Sequence, residues 1–114
     1  MAKFLMNFHH FPLPADFSPA PEEAAAVNLQ WQQYIGGIAA QGRFVDTQRL
    51  DQAGGILGAD GHLTPVVQEN RGLIVGTLTV EAADLDEAMA MARTCPVLAM
   101  GGSVEVRPVL HFDL

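Results

Sequence analysis

Residues 76–109 decide the fold, and they read GTLTVEAADLDEAMAMARTCPVLAMGGSVEVRPV. Residues 76–81 alternate between apolar and polar side chains and are rich in β-formers, which predicts a strand. Asp84 and Glu87 predict a helix start, because the Asp can accept from first-turn amides and the Glu completes a capping box. Residues 103–109 alternate again and predict a second strand. This strand–helix–strand unit is half of an α+β sandwich.

The helix after Asp84 is predicted to be amphipathic. At 3.6 residues per turn, one side of it collects Leu85, Ala88, Met89, Ala92 and Cys95. Pro96 is expected to end the helix, because proline cannot continue it. Cys95 is the single cysteine, so an internal disulfide and a cysteine-based zinc site are excluded. Its position on the apolar side predicts a buried structural thiol.

The first half of the chain supplies a matching strand and helix. Residues 3–9 predict strand 1. Residues 11–21 contain four of the seven prolines of the chain, which predicts a loop. Ser18 and Pro19 suggest the cap and first position of a helix. Its apolar stripe would be Val27, Trp31, Tyr34, Ile35 and Ile38. The pair Gly36–Gly37 suggests close approach of this helix to the sheet, and Gly42 the left-handed residue at its end.

Residues 43–75 are predicted to hold one strand and a small hairpin. Residues 43–50 suggest strand 2. Residues 56–59 and 62–64 flank Asp60–Gly61, a strong hairpin-turn pair. Residues 65–75 are expected to be a loop.

The predicted order is therefore β-α-β-(hairpin)-β-α-β in a single domain spanning residues 1–114. Two helices that each follow a strand favour a ferredoxin-like α+β sandwich, with sheet order 4-1-3-2 and both helices on one face. The other face then has no cover within the chain. Either water or a second copy covers it, and we expect a homodimer.

Alternation assigns side chains to the two faces of this sheet. The helix side should carry Phe4, Met6, Phe8, Leu78, Val80, Val104 and Val106, and the opposite side Leu5, Asn7, His9, Thr77, Thr79, Glu81, Glu105, Arg107 and Val109. His9 should lie near the start of strand 4, where an imidazole beside a carboxylate suits proton transfer. The predicted site is His9 as a base, with Asn7, Thr77, Thr79, Glu105 and Arg107 as ligand-binding residues. The alternatives are a solvated His9 and a Glu105–Arg107 pair with trapped water.

Composition narrows the function classes. Hydrophobic residues make up 49% and charged residues 17%, as in a globular protein. The net charge of −7 argues against nucleic acid and anionic membranes as partners. No nucleotide, phosphate-loop or metal-ligand motif is present, so no cofactor or metal is expected. The N-terminal apolar run is too short for a signal peptide or a membrane span, and a cytoplasmic location is expected.

Several motifs together resemble the YCII-related family, in its DGPF branch. They are residues 84–88, the Cys95–Pro96 helix end and residues 102–109, which read GSVEVRPV; residues 18–23, Trp31 and residues 37–45 agree with them. The resemblance covers nearly the whole chain. It implies a ferredoxin-like fold of the dimeric α+β barrel type, in which two sheets face each other.

The chain departs from this family pattern at two places. It has Thr64-Pro65-Val66-Val67 where the DGPF branch has its naming tetrapeptide. The YCII branch has a helical His and an Asp before a Pro, whereas here no helical His is evident and Cys95 precedes Pro96. The suspected His/Asp catalytic pair therefore does not carry over. The resemblance also implies a regulatory role beside extracytoplasmic-function sigma factors.

Three hypotheses follow from these observations. The first is a homodimer that binds a small polar or aromatic molecule between its sheets. The second is a cofactor-free enzyme of the lyase, isomerase or oxygenase type that uses His9 as its base. The third is a protein-interaction module that acts with a transcription factor.

Overall fold

The computed structural model describes residues 1–14 and 16–111. Its strands are β1 (Ala2–His10), β2 (Phe44–Arg49), β3 (Gly55–Leu57), β4 (Leu63–Pro65), β5 (Leu73–Ala82) and β6 (Ser103–Pro108), and its helices are α1 (Pro21–Ala40), α2 (Leu85–Ala92) and α3 (Pro96–Ala99). Four strands form an antiparallel sheet in the order β2-β5-β1-β6, and β3 and β4 form a separate hairpin. Counted along the sheet strands alone, this is the predicted order 4-1-3-2. The ferredoxin-like fold with an accessory hairpin is confirmed.

The helices cover one face of the sheet and form the core with it. The buried core residues are Phe4, Met6, Phe8, Leu78, Val80 and Ala82 from the strands, with Ile38, Ala88, Ala92, Cys95 and Val97 from the helical side. The rings of Phe8 and Trp31 lie 5.1 Å apart, and the Tyr34 hydroxyl donates to the Met91 carbonyl at 2.9 Å. The predicted helix-facing set is confirmed, with Val104 and Val106 only partly buried against the core. The α1 stripe is confirmed in part, because Trp31, Tyr34 and Ile38 pack on the core. Val27 and Ile35 are half-buried outside it. None of the described helices is long and apolar enough to cross a bilayer.

The two long helices begin differently. Asp84 caps α2 as predicted, accepting from the Glu87 amide at 2.9 Å, and the Glu87 carboxylate accepts from the Ala83 amide. The predicted start of α1 at Ser18 and Pro19 is wrong, because α1 begins at Pro21 with no side-chain cap. The reason is steric: a residue before proline is driven out of the helical region, and Ala20 has an extended ψ of 146°.

The third sheet strand is longer than predicted. Residues 65–75 are not all loop, because β5 begins at Leu73, which is buried and paired with His10. The extension requires a β-bulge: Phe8 pairs with Gly76 and His9 with Ile74, so Val75 has no partner on β1.

Pro96 and the glycines also differ from expectation. Pro96 starts the short helix α3 instead of only ending α2. The predicted close approach at Gly36–Gly37 is wrong, because a methyl group added at either would meet no atom within 4 Å. The close approach is at Gly102, where an added Cβ would lie 2.4 Å from the His9 carbonyl oxygen. Gly42 has the predicted positive φ, 71°.

On α2 the predicted apolar side is buried only in part. Ala88, Ala92 and Cys95 are buried, whereas Leu85 is 42% and Met89 39% exposed. The two larger side chains lie at the margin of the helix–sheet contact, where the eight-residue α2 has no neighbour broad enough to cover them.

The molecule is flat, with principal extents of 46 × 39 × 20 Å. Its radius of gyration is 15.8 Å, against about 13 Å for a compact domain of similar length. The thin dimension matches one sheet plus one helix layer. The excess in radius fits a chain whose hairpin and loops extend from a two-layer core.

Candidate functional site

The sheet face away from the helices, called here the outer face, carries the predicted site. Its predicted members are Asn7, His9, Thr77, Thr79, Glu105 and Arg107. The strand register sets Asn7 opposite both Thr77 and Glu105, and sets Leu5 opposite both Thr79 and Arg107. The central part of the outer face is therefore two polar rows that run across three strands. The sequence-based assignment of these residues to one face is confirmed.

Asn7 is the most buried polar group of the outer face. It is 9% exposed, and its Nδ2 donates to Glu105 Oε1 at 3.1 Å. A buried amide that lacked such a partner would cost about 1–3 kcal/mol. The bond fixes one oxygen of the Glu105 carboxylate and leaves its other oxygen available as an acceptor.

Arg107 is not paired with Glu105. Within residues 1–14 and 16–111, the ion pair joins Arg43 to Glu87, which ties the start of β2 to α2. The alternative of a Glu105–Arg107 pair is therefore not found in the described chain. The outer face instead offers a carboxylate held by an amide and, one row away, an exposed guanidinium.

A groove opens at the end of the sheet where β1 finishes and β6 begins. It has a volume of about 480 Å³ and is lined by His9, His10, Phe11, Gly72, Gly101, Gly102, Ser103, Val104 and Glu105. His9 pairs with Ser103 in the register. The predicted proximity of His9 to the start of strand 4 is confirmed. The groove is open to solvent over much of its surface.

The two adjacent histidines are used differently. The His10 ring nitrogens lie 2.8 Å from the carbonyl oxygens of Phe11 and Met100, and a neutral ring donates to one of them. His10 therefore links the end of β1 to the turn before β6, which forms a wall of the groove. The His9 ring makes no hydrogen bond within the described chain, so its nitrogens remain available to a ligand.

Sequence reasoning did not assign the wall-building role of His10. The alternation of strand 1 places His10 on the side opposite His9, which was the available signal. Its partner, the Met100 carbonyl, could not be identified because it lies 90 residues away in the chain.

The chemistry available in the groove is proton transfer and hydrogen bonding. The lining provides an imidazole, a hydroxyl from Ser103 and the Glu105 carboxylate, but no lysine or arginine. Among the described residues, no group of three His, Cys, Asp or Glu side chains is arranged to hold a metal ion. The groove suits a neutral or hydrogen-bond-donating group better than an isolated anion.

Cys95 and Tyr34 lie on the helix side and take no part in this site. Burial raises the pKa of the Cys95 thiol from 9.0 to about 11, and Cys95 is 3% exposed. Burial, followed by the charge of Cys95, raises the pKa of Tyr34 well above its ordinary value of 10.0. The predicted burial of Cys95 is confirmed by its 3% exposure. Because a thiol that is protonated at neutral pH is a poor nucleophile, the raised pKa of Cys95 supports a structural role.

Comparison with known proteins identifies the family. Residues 16–113 match the family model of the YCII-related domain. A search of curated proteins finds no match. The described structure has no histidine on α1, and Cys95 precedes Pro96, which are the departures from the YCII branch that the sequence indicates. The fold and a match over most of its length show that the chain belongs to the YCII-related family.

Proposed function

We propose that this protein is a homodimer that binds a small polar or aromatic ligand between the outer faces of its two sheets. Asn7, His9, Thr77, Thr79, Glu105 and Arg107 are the proposed ligand-binding residues. The single observation that carries the proposal is the Asn7–Glu105 hydrogen bond on a sheet face that none of the described helices covers. A nearly buried amide that orients a carboxylate toward open space is the arrangement of a binding site.

The shape of the chain supports the homodimer. The sheet has helices on one side only, and exposed apolar residues such as Val109 and Ile74 lie along the open side. Stable interfaces bury roughly 1,600 Å² in total, so a second copy on this side would cover a large part of the open sheet. A second copy would enclose the polar rows, which must then bond to each other, to water or to a ligand.

A second candidate function is a cofactor-free enzyme that uses His9 as its base. The specific observation in its favour is that His9 has no hydrogen-bond partner in the described chain and lines the groove with Ser103 and Glu105. A neutral imidazole in such a position can accept a proton from a bound carbon or oxygen acid. The association with a sigma factor and the cytoplasmic location remain predictions.

The experiment is ligand binding measured by calorimetry with phenol, benzoate and benzamidine. The three share one ring and differ in the charge of the polar group, so they report separately on hydroxyl recognition, Arg107 and Glu105. His9→Ala and Asn7→Ala should each weaken the compound that binds best, whereas Leu29→Ala on the exposed side of α1 should leave its affinity unchanged.

Two results would contradict the proposal. One is an affinity that is the same in wild type, His9→Ala and Asn7→Ala for a compound that does bind. The other is a bound structure in which that compound lies on the helix side. If wild type released a chemically altered compound and His9→Ala did not, the result would support the second candidate function, an enzyme that uses His9 as its base.

A further inference from the structure

The accessory hairpin has an exposed apolar side that the proposed site does not use. Gly55 pairs with Pro65 and Leu57 with Leu63, so these four residues share one side of the hairpin, called here the hairpin face. Leu57 is 71% and Leu63 67% exposed. Paired leucines with this exposure are unusual on a monomer surface and indicate an interaction site.

The hairpin has little support from the rest of the chain. Its main contacts are between β3 and β4 themselves, and no other described strand or helix packs extensively on it. Each strand has three residues, and an isolated two-stranded hairpin is marginally stable in water. A partner on the hairpin face would provide the missing stabilisation.

Gly55 makes the hairpin face continuous. A Cβ at Gly55 would lie 2.7 Å from Leu63 Cδ1, so the leucine side chain lies directly over the glycine backbone. The two leucines and Pro65 therefore form one low surface without a polar interruption.

The charge pattern favours one kind of partner. Residues 52–67 contain no lysine or arginine and a single carboxylate, Asp60, which accepts from the His62 amide at the turn. The whole chain carries a net charge of −7, so two copies repel each other except where the surface is nearly uncharged. The hairpin face is such a surface, and it suits a second copy of this chain better than a basic or acidic partner.

The base of the hairpin is anchored beside the groove. The Gln52 side chain accepts from the Leu13 amide at 2.8 Å and donates to the Leu13 carbonyl at 3.3 Å. The chain then returns through Gly72, which lines the groove, into β5. The hairpin therefore leaves the molecule from the end of the sheet that holds His9.

We propose that the hairpin face docks on a second copy of this chain, so that each hairpin is an arm of the homodimer. The proposal rests on the homodimer proposed above and adds an apolar contact outside the sheet faces. It gives the exposed leucines of a nearly uncharged hairpin a partner on an otherwise acidic chain.

The test compares dimer dissociation constants by analytical ultracentrifugation of the full chain. Leu57→Thr combined with Leu63→Thr removes apolar surface and keeps the β propensity of both strands. The dissociation constant should rise about tenfold or more. The matched control is Leu29→Thr, which removes a leucine that is 53% exposed on α1 and should leave the constant unchanged.

A second measurement covers the case in which the double variant unfolds. A mixed sample of isotope-labelled and unlabelled wild-type chains should show filtered NOEs from the Leu57 and Leu63 methyls to the other chain. NOEs from these methyls only to their own chain, at Phe11 for example, would make the hairpin a lid and overturn the proposal.

The remaining outcomes separate the two proposals. Equal dissociation constants for the double variant and wild type would contradict the docking of the hairpin face but not the homodimer. A wild-type chain that is monomeric at every concentration would overturn both. Binding of wild-type protein to neutral phosphatidylcholine vesicles, lost in the double variant while its dimer constant is unchanged, would assign the hairpin face to a lipid surface instead.

Discussion

The two faces of the central sheet use the same three strands for different purposes. On the inner face, Met6, Leu78 and Val80 are fully buried under the helices. On the outer face, Asn7 follows Met6 and Thr79 lies between Leu78 and Val80. Glu105 is on the neighbouring strand β6, on the same side of the sheet, away from the described helices. The two-residue alternation of the strands therefore specifies a buried core and a candidate binding surface in the same segments. Substitutions at adjacent residues should accordingly affect either the stability of the core or the outer face.

The largest expected effect is on the inner face. Leu78→Ala should lower the free energy of unfolding by about 2–5 kcal/mol, because it opens a cavity in a packed core. Thr79→Ala, the next residue on the outer face, should change it by less than about 1 kcal/mol. Urea unfolding at a fixed protein concentration measures both. Equal losses would mean that the outer face is packed like the core.

A smaller loss is expected at the turn between α3 and β6. Gly102→Ala should cost about 1–3 kcal/mol, because its Cβ would overlap the His9 carbonyl and Val97. Gly36→Ala is the control, and it should stabilise α1 by about 1 kcal/mol because nothing lies near that position. Thermal unfolding gives the sign of each change. If Gly36→Ala were destabilising, the result would support the close approach of α1 to the sheet that the sequence predicts at Gly36–Gly37.

The inner face should also determine the response to alkali. The unfolded Cys95 thiol releases its proton near pH 9.0 and the folded thiol near 11, so the unfolded chain ionises first and stability falls as the pH rises between these values. The raised pKa of Tyr34 acts in the same direction. Cys95→Ala should flatten this decline in urea titrations from pH 8 to 11. A decline identical to that of wild type would exclude Cys95 as a cause.

The smallest expected effect is the outer-face hydrogen bond. Asn7→Ala should cost about 1 kcal/mol, since Glu105 loses its donor but can turn to water. Thr77→Ala, which lies opposite Asn7, is the control and should be nearly neutral. Differential scanning calorimetry resolves this difference. A loss above about 3 kcal/mol would show that Asn7 supports the core and not the site.

Most of the fold could be predicted because it depends on local signals. The Asp84 cap, the Asp60–Gly61 turn and the alternation of residues 76–81 each concern neighbours in sequence, and each is confirmed. The start of α1 was misplaced because two prolines competed for the first turn. The bulge opposite His9 was not located because it depends on pairing between segments more than 60 residues apart.

The candidate site was predictable in its composition and not in its detail. Alternation was enough to bring Asn7 and Glu105 to the same face. The groove depends on His10 bonding to Met100, a contact that no spacing in the sequence encodes. The exposed state of Arg107 also depends on side-chain geometry, since cross-strand charges can either pair or stay apart.

The central claim is that a second copy covers the outer face, and sedimentation equilibrium of wild type and Leu5→Glu tests it most directly. Leu5 lies at the middle of that face, between Thr79 and Arg107. We predict that wild type at micromolar concentration has twice the 12.2 kDa mass of the chain and that Leu5→Glu has the mass of one chain. A wild-type mass of 12.2 kDa, or a dimer that Leu5→Glu leaves intact, would contradict the account.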